Sequence, residues 1–186
     1  MEFPNWFESQ KHNFEKNLER FKGKPGLKFL QLGVYTGDAS EWLLTNILTD
    51  PSSFLLDIDT WAGSNETKHK SISFSDVYEF YKKRMEPYPN IRSVRNNIEN
   101  FLRSNKTIYD FIYIDADHTA DAVATDAEYS WELLKKGGIL AFDDYLWGQE
   151  MDPILTPRPA IDRFLAERSN DVVILEHGYQ VWIEKL

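Results

Sequence analysis

The chain has 186 residues and a mass of 21.8 kDa, the size of one domain, and its 50 Leu, Ile, Val and Phe residues are enough for a core rather than a disordered chain. The absence of Cys excludes disulfides, thiolate metal sites and Cys nucleophiles. A formal net charge of −9 argues against nucleic acid as a general partner, because binding phosphate needs a basic footprint.

From the N-terminus, segment 5–22 predicts an amphipathic helix, with Phe7, Phe14, Leu18 and Phe21 near one stripe. GKPG at 23–26 breaks it, and LKFLQLG at 27–33 reads as a buried strand. A helix over 39–48 and a short strand over 53–58 follow. The pattern predicts a helix over 75–85, with Asp76 and Glu79 at capping-box spacing, stopped by Pro87 and Pro89. IRSV (91–94) is a weak strand, whereas YDFIYI (109–114), β-branched and aromatic, is a strong one. Residues 119–136 read as a helix with Ala120, Val123, Ala127, Trp131 and Leu134 on one face and Gly137–Gly138 beyond its end. GILAF (138–142) is a buried strand, residues 160–168 form a helix after a Pro-rich loop, and VVILEHGYQVWIEK makes a hairpin around His177–Gly178.

No apolar run nears the roughly 18 residues of a membrane span, and MEFPNWFESQ has neither the basic nor the apolar region of a secretory leader. The expectation is a cytoplasmic protein without a membrane partner. Alternation of strand and helix implies an α/β fold, a doubly wound, mostly parallel sheet carrying a C-terminal antiparallel hairpin. One domain over 1–186 is expected, with 1–26 as an N-terminal helical appendage.

Ligands of such sheets sit beyond the carboxyl ends of the strands. After the first strand, Gly33 and Gly37 lead into a helix whose N-terminus offers free N–H groups, without the GxGxxG of dinucleotide binders. The second strand ends near Asp59, 26 residues after Gly33, a distance at which a carboxylate can hold a ribose diol. Asn96 and Asn97 follow the third strand, polar groups able to read an adenine edge. Residues 110–152 hold eleven Asp or Glu and two Lys, and the rest of the chain is neutral. That stretch is either a solvated acidic face or a focus for a cation. Asp115 ends the fourth strand, and Asp143 and Asp144 end the fifth. Neighbouring strand ends can bring these three carboxylates together, where they would repel and take up protons unless a hard divalent cation such as Mg²⁺ joins them. His118 follows Asp115 by three residues and can face the same space.

In combination, FLQLGVYTGDAS, LLDIDTWAG, NNIENFL, YDFIYIDADH and WELLKKGGILAFDDY resemble the class I S-adenosylmethionine-dependent methyltransferases over about residues 27–186. The IDxDH, LLKxGG and FDDY segments are similar to the branch of cation-dependent sugar and catechol O-methyltransferases. The resemblance implies transfer of a methyl group from S-adenosylmethionine to a hydroxyl of a small acceptor. It implies that Gln31, Gly33, Gly37 and Ser40 lie around the methionine part of the cofactor, Asp59 at the ribose and Asn97 near the adenine amine. It also implies Asp115, Asp143 and Asp144 as ligands of Mg²⁺ or another hard divalent cation, and His118 as general base. Homodimers are common among such relatives.

Two positions depart from the resembled pattern: Gln31 stands where a carboxylate is usual, and Asn97 where Asp is usual. Both suit a competing reading, a binding protein that kept the fold and lost catalysis. An oxidoreductase with a nicotinamide cofactor shares the sheet but leaves the three aspartates unexplained. A methyltransferase using His118 without metal is a further alternative. Residues 61–75, and the N-terminal helix through Trp6 and Phe7, are expected to cover the acceptor site.

Overall fold

A computed structural model describes residues 3–63 and 72–186. Seven strands form one sheet: β1 (Lys28–Leu32), β2 (Phe54–Asp59), β3 (Ile91–Arg95), β4 (Tyr109–Ile114), β5 (Leu134–Phe142), β6 (Val172–His177) and β7 (Val181–Lys185). Their order is β3-β2-β1-β4-β5-β7-β6. The first five are parallel, and β7 lies antiparallel between β5 and β6. The terminal hairpin thus completes the sheet beside β5, which brings its turn to the carboxyl end of β5.

Side-chain alternation along the strands divides the interior into two cores. Phe29, Leu55, Phe111 and Trp182 face one side with the helices α1 (Lys11–Leu18), α2 (Asp38–Asn46) and α3 (Phe74–Met85). Leu30, Leu32, Ile112 and Leu140 face the other with α4 (Ile98–Ser104), α5 (Ala120–Leu133) and α6 (Arg158–Glu167). β4 is buried at every position, as a central strand covered on both faces should be. No helix of the described residues is long and apolar enough to cross a membrane.

Three local features differ from the sequence pattern. Segment 5–22 is interrupted: a 3₁₀ turn at Phe7–Ser9 precedes α1, and another at Glu19–Phe21 follows it. The break at Gln10 folds Phe7 back onto Phe14, with ring centroids 4.9 Å apart, while Phe14 packs at 4.8 Å on Trp182. Helix α5 stops at Leu133, and the next residues extend β5. Leu134 pairs with Tyr109 before a register shift, and Gly137 takes a left-handed φ of 74°, so ladder pairing wins over the helical pattern. Helix α3 is capped at Ser73 without a side-chain bond, and Asp76 gives its own N–H to the Ser73 carbonyl, so the Asp76–Glu79 capping box does not form.

Gly33 ties the site to the sheet. Its φ is +80°, and a Cβ there would lie 1.8 Å from the Asp115 carbonyl oxygen, so the glycine permits close approach of the β1 and β4 ends. Left-handed backbone and overpacking both oppose a side chain here. Gly33→Ala is expected to destabilise the protein by about 3 kcal/mol, read from the urea midpoint at unchanged m-value.

Candidate active site

A cavity of about 1110 Å³ opens over the carboxyl ends of β1, β2, β4 and β5. At one end, Asp115, His118 and Asp144 each bring a ligand atom within 4.8 Å of the others. Asp115 leaves β4 directly, and His118 lies just before α5. Asp144 follows β5 with a φ of 59°, a left-handed conformation that is unusual for a side-chain-bearing residue. His118 Nε2 lies 3.0 Å from Asp144 Oδ2, and the Tyr179 hydroxyl donates to Asp144 Oδ1 at 2.7 Å. Trp147 sets its ring against the imidazole, with centroids 4.6 Å apart.

Asp143 is held differently. Its Oδ2 accepts from the Tyr113 hydroxyl and, at 2.9 Å, from Gln180 Nε2, and its Oδ1 accepts the Asp144 N–H at 2.7 Å. A carboxylate has about four acceptor positions, so one remains on Oδ1. Gln180 in turn accepts from Asn13 of α1 and from the Trp182 indole through its Oε1. A buried polar chain therefore runs from α1 through the β6–β7 turn to the tip of β5. Burial and the adjacent carboxylates raise the Asp115 carboxyl well above its ordinary range, and burial together with Asp144 raises that of Asp143.

This donor set suits a hard cation. Its two carboxylates, Asp115 and Asp144, would supply the oxygens that such an ion takes, with the His118 imidazole facing the same space, whereas Asp143, expected as a third ligand, is not in this group among the described residues. A dication would also oppose the repulsion that now favours proton uptake.

Along the cavity, Gln31, Gly33, Asp59 and Asn97 line the wall, whereas Gly37 and Ser40 do not. Gly37 begins α2 with φ +80°, and a Cβ there would meet Met85 and Tyr81 at 2.9 Å. Ser40 is fully buried and donates towards both Gln31 Oε1 (3.2 Å) and Asp57 Oδ2 (2.7 Å). Gln31 Nε2 donates to the Gly33 carbonyl at 3.1 Å. Asp57 is the cross-strand neighbour of Gln31 and also accepts from the Tyr81 hydroxyl at 2.9 Å. Burial raises its carboxyl to about 7. Asp59 accepts the N–H groups of Val34, Tyr35 and Trp61 at 2.7 to 3.0 Å, which shapes the β1–α2 loop and leaves one acceptor position. Asn97 caps α4, its Oδ1 accepting the Asn100 N–H at 3.1 Å.

The N-terminal segment reaches the cavity through Asn5, Trp6 and Phe7, and the Trp6 ring lies 4.5 Å from that of Tyr35. Of the expected cover 61–75, Ala62, Gly63 and Phe74 line the cavity. Trp61 is buried instead, its indole donating to the Tyr35 carbonyl at 2.9 Å, and residues 64–71 lie outside the described residues. Tyr113, Gln180, Tyr179 and Trp147 escape the sequence reading. Strand alternation could have placed Tyr113 on the face of Gln31, but the two turn residues follow only from β7 lying beside β5.

Three comparisons bear on this geometry. A family model described as a methyltransferase domain matches residues 30–145. A curated Dictyostelium discoideum protein named "Probable caffeoyl-CoA O-methyltransferase 1" is 26% identical over 149 residues, which are 76% of this chain and 61% of that protein. The chain thus spans about three fifths of that relative's length. The structure of the O-methyltransferase TomG from Streptomyces achromogenes, in complex with S-adenosylmethionine, superposes with a TM-score of 0.70 at 14% identity, covering 98% of this chain and 81% of that one. A Clostridium thermocellum structure named "putative rRNA-methylase" gives a TM-score of 0.69 at 14% identity, covering 100% of this chain and 98% of that one. At these identities the structural likenesses establish the fold.

Asp57 gives a pH test. Its carboxyl is higher in the folded chain, at about 7, than the roughly 3.9 of an unfolded Asp. Its contribution is therefore fully present below about pH 4 and lost as pH rises through about 7. In the metal-free protein, Asp57→Asn is expected to flatten the fall in melting temperature between pH 5 and pH 8, leaving the variant several degrees above wild type at pH 8 by calorimetry.

Proposed function

We propose that this chain, which belongs to the methyltransferase-domain family of the class I S-adenosylmethionine-dependent fold, transfers a methyl group from S-adenosylmethionine to a hydroxyl of a small acceptor with help from a divalent metal ion. The observation that carries the reading is the meeting of Asp115, His118 and Asp144 at one end of a cavity whose wall also presents Gln31, Gly33, Asp59 and Asn97. When bound, the ion supplies Lewis acidity to an acceptor oxygen and the sulfonium supplies a methyl group ready to leave.

The residues position and deprotonate. Asp115 and Asp144, with Asp143 through the position left on its Oδ1, would supply the oxygen ligands that Mg²⁺ prefers, and Tyr113, Gln180 and Tyr179 fix the direction of two of these carboxylates. His118 is the base of this reading: its imidazole takes the proton of the acceptor hydroxyl, and the Asp144 carboxylate, 3.0 Å from Nε2, steadies the imidazolium that forms. Displacement at a methyl carbon demands alignment of nucleophile and leaving group. Gln31 and Gly33 on the methionine side and Asp59 on the ribose side hold the donor end of that line, and Ser40 and Gly37 act one layer behind them. Trp147 and Tyr179 flank the acceptor end, and Trp6 covers the opening and excludes water.

A sugar or other vicinal diol fits the reading, since two adjacent hydroxyls can share one ion. The fold alone leaves the acceptor open, because it also occurs in a protein named as an rRNA methylase. The net charge of −9 and the acidic stretch that lines the site favour a small molecule over RNA. Retention of His118 beside the carboxylates speaks for catalysis rather than binding alone.

Methylation of a vicinal diol, followed by release of S-adenosylhomocysteine, should cease on chelation with EDTA and return with Mg²⁺. Activity that persists in EDTA would sink the metal's part in the reading. Asp143→Asn should mimic chelation. His118→Ala should lower kcat by about 10² to 10⁴ while calorimetric affinity for S-adenosylhomocysteine stays within about twofold, because the imidazole serves the acceptor and not the donor.

A further inference from the structure

The cavity has a second acidic end that the proposed chemistry leaves unused. It lies between α4 and α5, where Glu99, Asp117, Asp121 and Asp126 line the wall together with Asn97 and Ile98. Asp126 stands apart from the others. It is 4% exposed, and among the described residues its carboxylate makes no hydrogen bond or ion pair, although it faces the cavity. A carboxylate so far withdrawn from water, open only to the cavity and without a protein donor, is held at a cost that a ligand able to donate would relieve.

Among the described residues, Asp126 belongs to no group of three or more ligand atoms close enough to share a metal ion, whereas Asp115, His118 and Asp144 do. Position supplies the identity. If the donor's ribose lies at Asp59, its base extends past β2 toward Asn97 and the α4–α5 crevice, away from the Asp115 end. Asn97 already accepts the Asn100 N–H with its side-chain oxygen, which leaves that oxygen one acceptor position, and a neutral amide is a weaker partner for an amine than a carboxylate is.

Resting on the reading of the site as a donor-binding cavity, we propose that the Asp126 carboxylate accepts a hydrogen bond from the exocyclic amine of the donor's adenine, in preference to the neutral amide of Asn97. Recognition of the base is thereby moved from the end of β3 to the second turn of α5. Burial, with Asp117 and Glu99 adding repulsion, raises the Asp126 carboxyl to about 7, and a ligand that donates to the carboxylate relieves that penalty.

The test is a cycle of calorimetric affinities. S-adenosylhomocysteine and its analogue with hydrogen in place of the 6-amino group are titrated into wild type, Asp126→Ala and Asn97→Ala. Wild type should favour the amine by about tenfold or more. Asp126→Ala should reduce that preference to about twofold, and Asn97→Ala should leave it intact. Asp126→Leu, which fills the volume without a polar atom, repeats the measurement should the Ala variant fold poorly. An unchanged preference in the Asp126 variants, or its loss in Asn97→Ala, overturns the proposal. Failure of wild type to bind S-adenosylhomocysteine at all would instead overturn the methyltransferase reading beneath it.

Discussion

Carboxylates packed at the ends of two adjacent parallel strands are the constraint around which this molecule is arranged. Asp115, Asp143 and Asp144 are half-buried at the cavity wall and repel one another, and several of their neighbours approach as hydrogen-bond donors. Tyr113 and Gln180 donate to Asp143, Tyr179 donates to Asp144, and His118 lies beside Asp144. The donors fix the directions of the oxygens but leave the excess charge in place. A site so built is strained toward protonation when empty of cations and relieved when a cation is present.

The same arrangement explains why both chain termini matter to a site carried by the middle of the sequence. Asn13 of α1 bonds Gln180, and Gln180 bonds Asp143. Phe14, one residue on, is fully buried against Tyr113 and Trp182. The N-terminal helix and the C-terminal hairpin are thus packed into the support of one aspartate, and neither is a decoration on the sheet. Sheet order is the cause, since β7 lies next to β5 and its turn residues arrive where β5 ends.

Away from the three aspartates, two positions on the cavity wall are held by amides. Gln31 is neutral at the surface of the cavity, while Asp57 sits one strand over and is linked to it through Ser40. Asn97 is likewise neutral and engaged as a helix cap, while Asp126 waits on α5. In both places an amide meets the cavity and a buried carboxylate stands nearby, raised toward neutrality by burial. Such carboxylates respond to what binds far more than exposed ones do.

The local pattern by itself determined the strands, most helix positions and the doubly wound class, because apolar runs bounded by glycine and proline have few other ways to bury themselves. It also marked Asp115, Asp143, Asp144, Asp59 and His118, since strand ends in a parallel sheet are known places before any coordinate is seen. It misread the end of α5, where pairing of Leu134 with Tyr109 outweighed helical periodicity, and the continuity of segment 5–22, where Phe7 turned back onto Phe14. Only the tertiary structure decided which oxygens remain available to a ligand. Hydrogen bonds from residues such as Gln180, Tyr179 and Asn100 depend on register and crossover, and a linear sequence carries no record of which distant donor will reach a given carboxylate or amide.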